Sequence, residues 1–145
     1  MCIRDRYIPT TGGGQVVSRG NGIITRSDVD LLARIISAEA DSESYETKVA
    51  VGAVVLNRVE SEHFPNTIRE VVYHVDELGK YQFEPVLNGW INQPASASAQ
   101  KAAQDALNGW DPTNGALYFF ESWVPNQFLQ NRSVSRVMDS FIFSY

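Results

Sequence analysis

Leu31-Leu32-Ala33-Arg34-Ile35-Ile36-Ser37-Ala38-Glu39-Ala40 is the stretch on which the fold turns. Leu31, Leu32, Ile35 and Ile36 recur at the spacing that gathers them on one side of an α-helix, while Asp30 and Arg34 fall on the other. Ser27 is placed to cap this helix, and Asp30, three residues on, can bond back to it and answer the positive helix end. The helix is therefore predicted from Ser27 to about Ala40. At about 100° per residue, Glu39 lies within roughly 60° of Leu32, Ile35 and Ile36, so a carboxyl points where the apolar side chains point. Desolvation there disfavours the carboxylate, and the negative end of the helix dipole disfavours it further; both raise its pKa. A carboxyl kept neutral near pH 7 is what general-acid cleavage of a glycosidic bond requires, because the departing oxygen must receive a proton. Position alone also fits a commoner role, a Glu laid along an apolar stripe with its head in water.

The next segment supports the first. Ser44, with Glu46 and Thr47 close behind, announces a helix that continues through Val49-Ala50-Val51-Gly52-Ala53-Val54-Val55-Leu56 and ends near Asn57 and Arg58. A helix apolar almost all round belongs in the centre of a domain. Gly52 costs about 1 kcal/mol in helix propensity and lets another helix come close. Thr67 followed by Glu70 starts a short third helix ending near Tyr73 or His74. Val75 to Pro94, with Gly79, Pro85 and Gly89 and no sustained period, reads as a long structured loop. Ala95 to Asn108, capped by Ser96 or Ser98 and stopped by Gly109, is a fourth helix. The turn signal Asp111-Pro112-Thr113-Asn114-Gly115 feeds a strand at Leu117-Tyr118-Phe119-Phe120, with which Ser133–Val137 and Phe141–Phe143 can pair. The fold class is α+β, mainly helical, with a small antiparallel sheet.

One hundred and forty-five residues at 43% apolar and 20% charged make one compact domain. Residues 1–26, with Gly12-Gly13-Gly14 and Gly20-Asn21, read as a flexible arm or linker, and 27–145 as the folded unit. The opening residues lack the apolar stretch of a secretory signal. The run Val49–Leu56 is far short of the roughly 20 residues that cross a bilayer, so no membrane span is expected. A net charge of −5 without a basic run argues against nucleic acid as a partner. It also gives no attraction to an anionic partner, so binding to one should rest on stacking and hydrogen bonds and depend weakly on salt. A monomer is expected.

Elimination narrows the chemistry to carboxylates. The lone Cys2 excludes an internal disulfide framework and lies in the arm, where no base can be held against it. His63 and His74, with no HExxH, make a zinc site improbable and read as surface or packing residues. No GxSxG elbow, phosphate-binding loop or dinucleotide fingerprint is present. Glu43, four residues beyond Glu39, either orients it or is an exposed loop acid; Glu46 answers the helix dipole. Flat rings cover the apolar faces of sugars while amides and hydroxyls bond their edges, which makes Tyr81, Phe83, Trp90, Tyr118 and Trp123 candidate platforms and Gln82 a candidate edge-bonding amide. Ordinary packing is the competing reading for each ring.

The segments Leu32–Ala40, Glu43, Val49–Val59 and Phe64–Ile68, with Gln82-Phe83, Ala106–Gly109 and Gly115–Phe119, resemble in order and spacing the cell-wall hydrolases of the spore cortex-lytic type, over about residues 28 to 143. The resemblance implies a lysozyme-like, lytic-transglycosylase-like catalytic domain acting on peptidoglycan, with Glu39 at the catalytic acid's position. In that chemistry one carboxyl protonates the oxygen between N-acetylmuramic acid and N-acetylglucosamine. It then accepts the proton of the muramic 6-hydroxyl as that oxygen closes on its own anomeric carbon, leaving a 1,6-anhydro end. The nucleophile belongs to the substrate, so no second carboxylate, metal or cofactor is needed. Glu39 is thus the candidate catalytic residue, and Glu43, Gln82, Phe83 and Tyr118 are candidate substrate-binding residues. Lysozyme-type hydrolysis of the same bond, or a wall-binding module without catalysis, are the alternatives. The family implies action at the cell envelope or spore cortex, during germination, or delivery by a phage. Where the family carries Ala-Arg-Gly-Glu this chain has Ala40-Asp41-Ser42-Glu43, and Asp41 is expected to raise the pKa of Glu39 where the two are close. Where the family carries a Gly-x-His element, this chain reads Met138-Asp139-Ser140-Phe141.

Overall fold

A computed structural model describes residues 15–17, 23–122 and 132–145. Strands β1 (Gln15–Val17) and β2 (Ile23–Thr25) form an antiparallel pair. They are followed by α1 (Arg26–Ala40), α2 (Tyr45–Glu60), α3 (Ile68–Val72), α4 (Glu84–Asn88), a single 3-10 turn at Trp90–Asn92 and α5 (Ala97–Leu107). A three-stranded antiparallel sheet closes the chain, with β3 (Tyr118–Glu121), β4 (Val134–Met138) and β5 (Phe141–Ser144) in the order β3-β5-β4. The expected α+β class, mainly helical with a small antiparallel sheet, is what the chain adopts.

Helix α2 is the axis of the domain. Residues 47–58 are all buried, because α1, α3 and α5 pack around it and leave no side for solvent. Gly52 is where the helices come closest: a Cβ there would lie 2.8 Å from Ile36 Cδ1 of α1 and 3.3 Å from Ala106 Cβ of α5. Expected and observed agree on this point, on the Ser44 cap of α2, on the Thr67–Glu70 cap of α3 and on the Ser96 cap of α5.

Three expectations need correction. The N-terminus of α1 is capped by Thr25, not Ser27: Thr25 Oγ1 accepts the Asp28 N–H at 3.2 Å and Asp28 Oδ2 accepts the Thr25 N–H at 3.0 Å, a reciprocal capping box. Asp30 instead holds Arg34 Nε at 2.7 Å one turn along the outer face. Second, the fold takes in backbone ahead of Ser27. β2 pairs with β1, and Ile24 is buried with the core. Third, the stretch read as a loop is partly helical. Val75 bridges Tyr81, α4 starts with Pro85 in its first turn, and Gly89 ends it at φ 88°, a conformation that a Cβ would strain. Cys2, Trp123 and most of the Gly-rich stretch lie outside the described residues.

Candidate active site

Glu39 occupies the last turn of α1, and the helix sets its surroundings: Leu32, Ile35 and Ile36, which share its side, are fully buried. The residue is partly buried, and the pKa of its carboxyl is pushed up to about 7. Desolvation is the largest cause; the carboxylates of Glu121, at the end of β3, and Glu84, at the start of α4, add like-charge repulsion. The acids that act on Glu39 therefore come from distant parts of the chain. Asp41, expected to do so, accepts the Ser96 hydroxyl on Oδ1 at 2.7 Å and is not among the causes of the shift.

Gln82 lies two residues before Glu84, and Tyr118 three before Glu121. The segments carrying these two candidates are thus the ones that bring like charge to Glu39. They are joined through Arg58, at the end of α2. Arg58 Nε donates to the Leu117 carbonyl at 2.7 Å and Nη1 to Gln82 Oε1 at 3.3 Å. Its guanidinium carbon sits 4.6 Å from the ring centre of Phe64, 5.1 Å from Tyr118 and 5.4 Å from Phe83. Burial lowers its pKa to about 10, which leaves it charged at neutral pH. The sequence marks Arg58 as the end of a helix and as part of the resembling segment Val49–Val59, but not as a link between Gln82 and Tyr118; the only hint is a cation closing an apolar run. Arg132 lies 4.0 Å from the Tyr118 ring centre, so Tyr118 stands beside two guanidiniums.

The remaining candidates separate. Phe83 is 2% exposed and packs on Phe119, within the aromatic cluster that includes Phe141 and Phe143. Its face is covered by protein, so it supports Arg58 and the sheet rather than offering a platform to a sugar. Glu43 Oε1 accepts the Ser140 N–H at 3.2 Å and fastens the turn between α1 and α2 to the β4–β5 hairpin. Tyr81 and Trp90 are exposed, at 43% and 62%. His74 packs edge-on against Phe64. A cleft of about 390 Å³ opens along α1, but Ser37, Ala38 and Asp41 line it, on a different side of the helix from Glu39. Among the described residues, no group of three or more His, Cys, Asp or Glu could hold a metal ion, and no helix is long and apolar enough to cross a membrane.

This is the fold of a lytic-transglycosylase catalytic domain. The structure superposes on the catalytic domain of the germination-specific lytic transglycosylase SleB from Bacillus anthracis with a TM-score of 0.77 at 35% identity, covering 87% of this chain and 99% of that one. On the catalytic domain of the Bacillus cereus SleB protein the TM-score is 0.76, also at 35% identity, covering 87% and 94%.

The chain belongs to the cell wall hydrolase family, whose pattern matches residues 42–144. Among curated relatives, a spore cortex-lytic enzyme of Bacillus cereus is 42% identical over 96 residues, and one of Bacillus subtilis 39% identical over 99. Those matches cover 66% and 68% of this chain but 35% and 31% of the relatives, so the chain spans about a third of the proteins it matches.

Proposed function

We propose that this chain cleaves the glycan strands of peptidoglycan between N-acetylmuramic acid and N-acetylglucosamine as a lytic transglycosylase, with Glu39 as the single proton carrier. The observation that carries the reading is a carboxyl whose pKa stands at about 7 in a family of cell wall hydrolases. Neutral Glu39 gives its proton to the bridging oxygen as the bond to the muramic anomeric carbon breaks. The carboxylate so formed takes the proton of the muramic 6-hydroxyl while that oxygen bonds to the same carbon. Atoms balance without water, and the product ends in a 1,6-anhydro ring. Gln82 and Tyr118, tied together by Arg58, bond and stack on the sugars, and no cofactor takes part. The place of action is the cell envelope or the spore cortex, and the chain works as a monomer.

One observation favours a second reading. Glu84 and Glu121 stand near enough to Glu39 to act on its charge, so a second carboxylate is at hand to activate water, as inverting glycosidases require. Digestion of purified sacculi followed by mass spectrometry of the fragments separates the two. Muramyl ends one water lighter than reducing ends mark the transglycosylase, whereas reducing ends alone mark hydrolysis. Intact sacculi would overturn both.

A further inference from the structure

The cleft along α1 opens on a different side of the helix from Glu39. Its floor is the outer side of α1, with Ser37 and Asp41, and its far wall is the turn from α4 into the 3-10 segment, with Asn88, Trp90 and Gln93. The two walls are braced. Arg34 reaches from α1 to donate Nη1 to the Asn92 carbonyl at 2.7 Å, and Asn88 Oδ1 accepts the Trp90 N–H at 3.0 Å. A volume of about 390 Å³ falls within the roughly 300–1,000 Å³ usual for small-ligand sites.

The lining selects its ligand. Trp90, 62% exposed, is a large flat ring held at the rim by its own backbone bond. An indole left in water at the edge of a cleft is a stacking surface. Asn88 has Oδ1 engaged and its amide nitrogen left to donate, Gln93 brings a second amide, and Asp41 has Oδ1 engaged and Oδ2 left to accept. The cation in the cleft, Arg34, already pairs with Asp30 at 2.7 Å. A phosphate or the carboxylates of a peptide would find that charge answered, whereas a neutral ring carrying hydroxyls and an acetamido group meets a face, two amides and an acceptor.

We infer that this cleft is a separate N-acetylhexosamine-binding site, which holds glycan away from the bond being cut. The inference rests on the peptidoglycan reading for its substrate class. Ser37 and Asp41, which line the cleft, lie about 160° from Glu39 around α1, so a sugar seated on Trp90 is not one of the two joined through the oxygen that Glu39 protonates.

The test uses the full chain carrying Glu39→Gln, which stops turnover, and titrates it with the N-acetylglucosamine tetramer while backbone amides are followed by NMR. Shifts at residues 34–41 and 88–94 are expected. Added Trp90→Ala should weaken binding roughly tenfold, with Trp90→Phe restoring most of it. Trp90 is exposed, so an unchanged melting temperature confirms that the fold is kept. Shifts confined to β3 and its surroundings, unaltered affinity in Trp90→Ala, absence of binding, or shifts at these amides with a free stem peptide but not the tetramer would each overturn the inference. Digestion of sacculi by the parent chain is read separately, so loss of this site and loss of the cleavage reading are distinguishable.

Discussion

Asp139, in the turn between β4 and β5, accepts the Ser44 hydroxyl on Oδ2 at 2.6 Å across 95 residues of chain. The same oxygen takes the Ser44 N–H at 3.0 Å and the Thr47 hydroxyl at 2.6 Å, so a strand turn caps the central helix. These bonds, those from Ser44 first, hold the pKa of Asp139 below the usual carboxylate range, and the helix dipole favours the charge. With Glu43 bonded to Ser140, the β4–β5 hairpin becomes a clamp on the junction of α1 and α2. Asp139→Asn, which keeps a residue suited to the left-handed backbone at φ 50°, should cost about 0.5–1 kcal/mol at neutral pH, a charged-cap contribution reduced by exposure. A depressed pKa gives stability that is present above the unfolded value and lost as pH falls through the folded one. The gap between variant and wild type should therefore close in acid, as urea melts at pH 7 and pH 2.5 would show.

Glu39 carries the opposite sign. Below its unfolded value of 4.5 both states hold the proton and folding costs nothing. As pH rises to about 7 the unfolded chain releases a proton that the folded chain keeps, and stability falls; above 7 the penalty is complete. Glu39→Gln should gain on wild type by about 1–3 kcal/mol at pH 8 and nothing at pH 4, while its turnover of sacculi drops at least ~100-fold. Denaturant melts at both pH values, with fragment release from sacculi, check both halves.

Arg58 is expected to be structural and functional together. Arg58→Met removes the donors to Leu117 and Gln82 and the charge among three rings, for a loss of about 2–4 kcal/mol. Arg58→Lys should recover only part, since a point charge cannot reach both acceptors in the fixed fork that a guanidinium offers. Chemical denaturation ranks the three proteins.

At Gly52 the sign is set by space. A valine there would drive carbon into Ile36 Cδ1 and Ala106 Cβ, both fully buried, and should cost about 1–3 kcal/mol despite the better helix propensity. Thermal melts of Gly52→Val test this; a gain in stability would mean the helices stand further apart.

The legible parts of this chain were those fixed by local pattern. Val49 to Leu56 betrays a central helix because no polar residue interrupts it, and Ser44, Thr67 and Ser96 betray caps because the bond spans three residues. Thr25 escaped because Ser27 with Asp30 spells the same box as Thr25 with Asp28, and only the pairing of β2 with β1 sets where the helix begins. Phe83 looked like a platform because a ring in an irregular segment has no period to mark it as core; its burial depends on Phe119 from another element. Glu39 was visible from the side of α1 it shares with Ile35 and Ile36, but the approach of Glu84 and Glu121 is made by the tertiary fold alone.

The most direct test of the account is an NMR titration of the Glu39 side-chain carboxyl in the intact chain. A midpoint near pH 7, moving lower in Glu121→Gln as a like charge is removed, is the predicted result. A midpoint near 4.5, unmoved by that substitution, would contradict it and leave the chain without the acid on which its proposed chemistry rests.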